Sequence, residues 1–539
     1  MTFTDYAELH CHSYYSLLDG ASSPEALVER AAALGYRSLA LTDHNGLYGA
    51  VRFWTAARDA GIRPLFGAEV TLDDDSHLLL LVETQRGYAN LCRLLSAGQL
   101  AGQKGAPRLT LATLAEHAAG LICLSGCPKG AVPAALQRGD FSQALAMADH
   151  LRQIFDGRFW IELQRHLEPG DDLRVAALVD VAHRLGLPLV ATNNVHYAER
   201  AGHRKHDVLT CIRQHTTLPD ALANGLLHAN TEYMLKPASD MAALFADYPI
   251  ALRNAGLIAG RCQAGLDFTA QRLPLFPVPP GHTPFTYLQT LCNDGLQHKF
   301  RPVTRRARDQ LDHELRVIER TNLAGYFLVV WDIVRFARSK GIRCQGRGSA
   351  ANSIAAYVLD ITPVDPLRHN LLFERFLTED AHTMPDIDVD FAADRREEVI
   401  QYVYERYGKE RTAMVCNVVT YRARSAVREV AKVLAFPADV IDRVAKALDS
   451  RSATKAATEV GSNAAAPSSP EVAEADPLAP VAATLDPAYP WKLLSELLSE
   501  IDGTPRHLSI HVGGMLITCL LYTSPSPRDR TRSRMPSSA

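Results

Sequence analysis

A chain of 539 residues, 47% hydrophobic and 22% charged, has ordinary globular composition and the length of three or four domains. Its longest apolar runs, such as residues 78–82 and 327–331, are far too short to cross a bilayer, and no basic-then-apolar leader follows Met1, so a cytoplasmic protein without a membrane partner is expected. Ten scattered cysteines without Cys-x-x-Cys spacing speak against a disulfide framework or a zinc ribbon, and the net charge of −3 hides a basic stretch over residues 301–347, where 11 Lys/Arg face 5 Asp/Glu.

In chain order, a strand is predicted over residues 6–12. Ser23 then serves as an N-cap and Pro24 as the first residue of a helix that continues over 25–34 and ends at Gly35. Apolar runs at 38–41, 64–70, 77–82, 121–124, 159–163 and 187–191 alternate with helical stretches, which implies parallel βα units. His12, Asp43, His44, Cys127, Asn194 and His196 fall at or just beyond the C-terminal ends of these runs, where a β/α barrel gathers its active site. The polar, Pro-containing stretch 272–284 reads as a domain boundary. Residues 422–448 are helical by their Arg and apolar spacing. The Ala-, Pro-, Ser- and Glu-rich residues 450–490 read as a flexible insertion. Residues 519–539 switch to Ser, Pro and Arg and look foreign to the strand at 511–518, as a frameshift or assembly error would produce.

His10 and His12 lie two apart on the first predicted strand, so both imidazoles share a face and can reach one metal. Asp19, Asp43, His44, Glu69, His77, Cys127 and His196 add ligands of the kind zinc or manganese accepts. Two or three such ions bridged by a carboxylate would hold a phosphate and activate water. The plainer alternative is a metal-stapled scaffold without an open coordination position.

Residues 9–20, Leu-His-Cys-His-Ser-Tyr-Tyr-Ser-Leu-Leu-Asp-Gly, and 41–44, Leu-Thr-Asp-His, resemble the polymerase-and-histidinol-phosphatase (PHP) domain. The resemblance implies a seven-stranded β/α barrel with His10, His12, Asp19, His44, Glu69, His77, Cys127 and His196 as ligands. The family pattern has an aspartate two residues before the last histidine, where this chain has Asn194. An amide carries no charge, so one site is expected to be weakened or empty.

Further on, Asp386, Asp388 and Asp390 alternate with Ile387, Val389 and Phe391, which predicts a strand with three carboxylates on one face. Such a row needs positive charge against it, and two Mg²⁺ ions, with their preference for oxygen ligands and phosphates, would suit. About forty residues earlier, Gly346-Arg347-Gly348-Ser349-Ala350-Ala351-Asn352-Ser353 leads into a helix-like run over 354–359. Small residues let a backbone approach phosphate, and Arg347 can neutralise charge. Tyr326, Phe327 and Trp331 read as core rather than as base-stacking platforms, and Arg395 and Arg396 as facing either triphosphate or solvent.

These two motifs, with residues 325–342, 372–377 and 511–514, are similar to the palm of the C-family polymerases, the bacterial DNA polymerase III alpha subunits. The resemblance implies an α/β multidomain chain: a PHP barrel over 1–265, a polymerase-beta-like nucleotidyltransferase palm over 275–425, and a helical thumb over 426–500 whose insertion covers about 450–490. A return to the palm over 501–518 and the tail 519–539 complete it. It makes Asp388 and Asp390 the metal-binding catalytic aspartates, Asp386 a supporting acid, and Arg347, Gly348 and Ser349 the phosphate-facing residues. Asn352, Ala7-Glu8-Leu9-His10 and Asp19-Gly20-Ala21-Ser22 tilt the resemblance toward the error-prone, translesion branch.

The activity implied is primer extension from deoxynucleoside triphosphates on a template. A primer 3′-hydroxyl attacks the α-phosphate, one metal serving the nucleophile and the other the departing pyrophosphate. The third aspartate, the fingers and contacts to a sliding clamp or to mutagenesis accessory proteins would lie beyond residue 518, so this chain alone is expected to be inactive. A PHP-type phosphoesterase or 3′–5′ exonuclease, and a non-catalytic DNA-binding scaffold, stand as rival classes.

Overall fold

Where apolar runs alternate with helical stretches, the computed structural model places six strands: β1 (Ser38–Leu41), β2 (Arg63–Thr71), β3 (His77–Val82), β4 (Leu121–Leu124), β5 (Phe159–Leu163) and β6 (Leu189–Ala191). They form one sheet in sequential order. The structure describes residues 6–103, 105–266, 275–378, 385–409, 411–448, 452–463 and 489–518. Two units emerge, residues 1–266 with 417–509 and residues 267–416 with 510–539.

The first predicted helix runs over Pro24–Ala33, the Ser23 hydroxyl accepting from the Ala26 amide and Gly35 taking up a φ of +75° behind it. Parallel pairing holds for β1–β2, β4–β5 and β5–β6, but β3 runs antiparallel to both β2 and β4. The expectation of uniform parallel units fails there because no helix separates β2 from β3. A short turn at Asp73–Ser76 reverses the chain instead, with the Leu72 amide donating to the Ser76 carbonyl.

The predicted strand at 6–12 is an extended segment with isolated bridges, Glu8 to Leu39 on one side and Cys11 to Val195 on the other. Buried Glu8 fixes its course by accepting from Tyr6 Oη at 2.8 Å and from the Asn193 amide at 3.0 Å.

The same unit continues in the helices Ala423–Val433, Ala438–Ala447, Ala453–Asn463 and Trp491–Ile501. Val427, Val430, Leu494 and Leu498 are buried with Val208, Leu209 and Ile212 of the helix Gly202–Gln214. Each such side chain contributes about 1.5–3 kcal/mol when fully buried. Arg204 pairs with Glu496 and Glu500 at the edge of this contact. The alanine-rich start of the segment read as flexible is thus helix, as the high helix propensity of alanine favours, with Ala453 and Ala456 buried. Residues 464–488 of that segment and the tail 519–539 lie outside the described residues, as do 272–274 of the boundary stretch.

In the other unit, the helices Pro284–Lys299, Arg305–Arg320 and Ala324–Ser339 surround the short helix Ile354–Val358. Strand β7 (Cys344–Arg347) pairs antiparallel with β8 (Asp388–Phe391). A further two-stranded sheet pairs β9 (Thr412–Thr420) with β10 (Pro505–Ile517), and residues 417–420 and 505–509 of these strands are counted in the first unit.

Candidate functional site

Left-handed backbone at Leu17 and Leu18, φ +43° and +71°, turns the chain after His12 so that Asp19 comes back beside the histidines. Gly20 follows because a Cβ there would overlap the Ser13 carbonyl. Glu69, near the end of β2, becomes the hub. Its Oε2 lies 3.0 Å from His44 Nε2 and 3.5 Å from His12 Nε2, and its Oε1 lies 3.3 Å from His77 Nδ1 and 3.6 Å from His10 Nε2. Cys127 Sγ approaches His77 Nδ1 at 3.6 Å. Asp19 Oδ2 lies 2.7 Å from His44 Nε2, and His196 Nδ1 lies 2.7 Å from the Asp19 carbonyl. All eight residues expected as ligands therefore converge. Asn194, with φ +46°, sits buried nearby, its Oδ1 without a hydrogen-bond partner.

Electrostatics prepare these groups to hold cations. Burial, with His44 and His196 close by, holds the His12 imidazole well below its usual range and so neutral. Burial alone would raise the Glu69 carboxyl, yet His44, His77 and His10 hold it well below the usual carboxylate range. Its Oε1 is buried with no hydrogen-bond partner. A buried carboxylate oxygen without a hydrogen-bond partner, ringed by imidazole nitrogens, is the donor set a divalent metal takes, so the residues fit such an ion. Among the described residues, three groups have ligand atoms within 4.8 Å of one another: His10, His12 and Glu69; His44, Glu69 and His77; Asp19, His196 and His206.

Several residues that the motif reading passed over orient this cluster. Glu162 of β5 accepts from His10 Nδ1 at 2.7 Å. Burial by itself would lower the His10 imidazole, but the charge and hydrogen bond of Glu162, joined by the charges of Glu69 and Glu8, together raise it to about 9. A lone acid inside the apolar run of residues 159–163 was the signal for it. Asp43, expected as a possible ligand, stands one step back. It accepts from Ser13 and Ser16 hydroxyls at 2.8 and 2.7 Å, and Ser16 Oγ lies 3.0 Å from His12 Nδ1. Arg213 pairs with Asp19 Oδ1, and no motif announces it.

In the second unit, Arg347 lies opposite Asp388, and Gln345 opposite Asp390. The predicted row of three acids is shorter than expected, because β8 begins at Asp388 and Asp386 precedes it. Ser349 Oγ contacts the Asp386 carbonyl at 3.4 Å, which ties the turn to the strand's approach. Ile387 and Val389 face the core while Asp390 is exposed. Positive charge sits against the acids, supplied here by Arg347, which lies 3.0 Å from Asp390 and 3.6 Å from Asp388. The Gly348–Asn352 turn follows directly, and Gly348 has a φ of +70° that favours glycine. A Cβ there would lie 3.8 Å from Asp388 Oδ2, so the turn runs close beside the acid.

Glu314 anchors the far side of that turn. Fully buried, it accepts from Ser353 Oγ at 2.7 Å and from the Ile354 and Ala355 amides at 2.9 and 3.0 Å. Tyr326 Oη accepts from the Ile387 amide at 3.0 Å, Phe327 is fully buried, and Trp331 packs partly buried against the same core. Arg395 pairs with Glu398 at 2.7 Å.

The PHP domain model matches residues 8–166, so the six-stranded α/β sheet with its histidine–carboxylate cluster is a PHP-like domain. A second model, the bacterial DNA polymerase III alpha NTPase domain, matches residues 286–533. An error-prone DNA polymerase of Symbiobacterium thermophilum is 40% identical over 95% of this chain and 47% of its own length. One from Mycobacterium bovis is 43% identical over 95% and 46%, and one from Pseudomonas fluorescens 40% identical over 95% and 46%. The chain belongs to the bacterial C-family of DNA polymerase III alpha subunits with a PHP domain, in its error-prone branch. It spans somewhat less than half the length of these relatives. Among the described residues no helix is long and apolar enough to cross a membrane.

Proposed function

We propose that the whole protein is a DNA-directed DNA polymerase of the error-prone, translesion kind, acting in the cytoplasm on primer–template DNA and deoxynucleoside triphosphates. The observation that carries this reading is the pairing of β7 with β8, which sets the Gly348–Ser349 turn beside Asp388 and Asp390. Residues 275–425 with 501–518 then form a polymerase-beta-like palm, and the helices over 426–500 a thumb. Asp388 and Asp390 would hold two Mg²⁺ ions, which supply charge stabilisation for in-line phosphoryl transfer. Arg347 neutralises triphosphate oxygens, leaving the two aspartates as it does so, and Gly348 and Ser349 let the backbone approach them. Glu314 keeps the turn in place by holding the helix start behind it. Contacts to a sliding clamp and accessory proteins would come from further sequence.

In the PHP domain, the segment 6–12 acts as the seventh strand, supported by its bridges to Leu39 and Val195. His10, His12, Asp19, His44, Glu69, His77, Cys127 and His196 would hold Zn²⁺ or Mn²⁺, which supplies a polarised water for phosphoester hydrolysis. The Glu69-centred cluster favours this as a second reading, a phosphoesterase or 3′–5′ exonuclease on the same chain.

Substitution in the full-length protein separates the two. Asp388→Ala with Asp390→Ala should abolish primer extension and spare any metal-dependent nuclease activity, whereas His12→Ala with His44→Ala should do the reverse. Extension that survives loss of both aspartates in a primer-extension assay would sink the palm assignment. Salt-dependent DNA binding with neither activity would leave only a scaffold.

A further inference from the structure

Glu69 serves two of the three ligand groups, while the third has a different charge balance. Asp19, His196 and His206 bring their ligand atoms within 4.8 Å of one another, and Asp19 is the only carboxylate among them. Both of its oxygens are engaged: Oδ1 accepts from Arg213, and Oδ2 lies 2.7 Å from His44 Nε2. The neighbouring Asn194 adds a neutral amide with an unpartnered Oδ1. A guanidinium cannot shed its proton in a protein. A dication bound here would therefore share one largely buried carboxylate with a fixed positive charge, and the repulsion between the two cations opposes its binding although a third of the Arg213 side chain reaches solvent.

Donor atoms, in contrast, are plentiful. Both ring nitrogens of His206 and Nδ1 of His228 are buried without a hydrogen-bond partner. The two rings stack at 4.5 Å, and each lies 5.2 Å from the His196 ring. Tetrahedral zinc wants its nitrogen ligands about 3.4 Å apart. Small side-chain shifts would bring the group to that spacing, so charge and not geometry decides occupancy.

We propose that the Arg213 guanidinium takes the place of a third cation, so that this PHP centre binds two metal ions and keeps a latent third site formed by Asp19, His196 and His206. The inference rests on the proposed metal-holding role of the Glu69 cluster, taken as one ion for each of the two groups that Glu69 joins, and the measurement is chosen so that the two can fail separately.

The 539-residue chain is stripped with a chelator, reloaded with Zn²⁺, freed of excess metal, and its zinc counted by mass spectrometry, with circular dichroism to verify folding. Wild type should hold two ions per chain and Arg213→Gln three. Arg213→Lys, which keeps the charge, should hold two, and Arg213→Gln combined with His206→Ala should return to two. Arg213→Met, which keeps the apolar stem, serves in place of Arg213→Gln if the latter is misfolded. Three ions in wild type, or no gain on removal of the charge, overturns the proposal. A wild-type count below two with a gain of one in Arg213→Gln would instead discard the two-ion reading of Glu69 and leave the role of Arg213 standing.

Discussion

Single buried carboxylates do much of the positioning in both units. Glu314 shows how: burial pushes its carboxyl up to about 7, against the pull of the Ile354 and Ala355 amides and the Ser353 hydroxyl. A folded-state value above the ordinary 4.5 means that the native state binds the proton more tightly. Its contribution to stability is therefore fully present below pH 4.5 and is lost as pH rises toward 7. Urea denaturation at pH 4.5 and 7.5 should show the advantage of wild type over Glu314→Gln shrinking by about 3 kcal/mol across that window. A pH-independent difference would refute the assignment. Residues of this kind were only partly legible. His10, His12 and Asp388 announce themselves by spacing, whereas Glu314 shows only as an acid on the apolar face shared by Leu311, Leu315 and Ile318. Arg213 and His206 are ordinary helix residues until folding places them beside Asp19.

At the level of elements, the apolar runs located all six strands of the sheet to within a residue or two, because a buried strand must be apolar on both faces. Their direction was not legible, since orientation depends on what connects them, and the acidic turn at Asp73–Ser76 looks like any polar loop. The helix Arg396–Tyr407 that follows β8 presents a related case. Its attachment depends on fully buried Asp332, which accepts from Tyr402 Oη at 2.7 Å and Tyr407 Oη at 3.1 Å, while Phe336 stacks on Tyr402 at 3.9 Å. Asp332→Ala removes the shared acceptor, but Arg335 and Arg406 are exposed enough to turn to water. The expected cost is roughly 2–3 kcal/mol. Calorimetry should show the melting point lowered by roughly 5–10 °C. An unchanged melting point would mean that ring stacking alone holds the helix.

On the scale of the whole molecule, the helix Gly202–Gln214, which follows the PHP-like sheet, shares one hydrophobic core with the helices that lie between residues 423 and 501, a grouping that sequence distance conceals. A chain ending at residue 266 would leave Val208, Leu209 and Ile212 without their cover. Size-exclusion chromatography should show this truncated chain self-associating, and co-expression with residues 417–509 should restore a monodisperse complex. A well-folded monomer of residues 1–266 would make the helical cover dispensable. The same arrangement has a consequence in time. About 240 residues must leave the ribosome between residue 266 and residue 509 before this core can close. At the usual pace of bacterial synthesis that is a delay of roughly 10–50 s. Throughout it the nascent first unit presents an uncovered apolar helix, a natural substrate for chaperones that bind exposed hydrophobic segments.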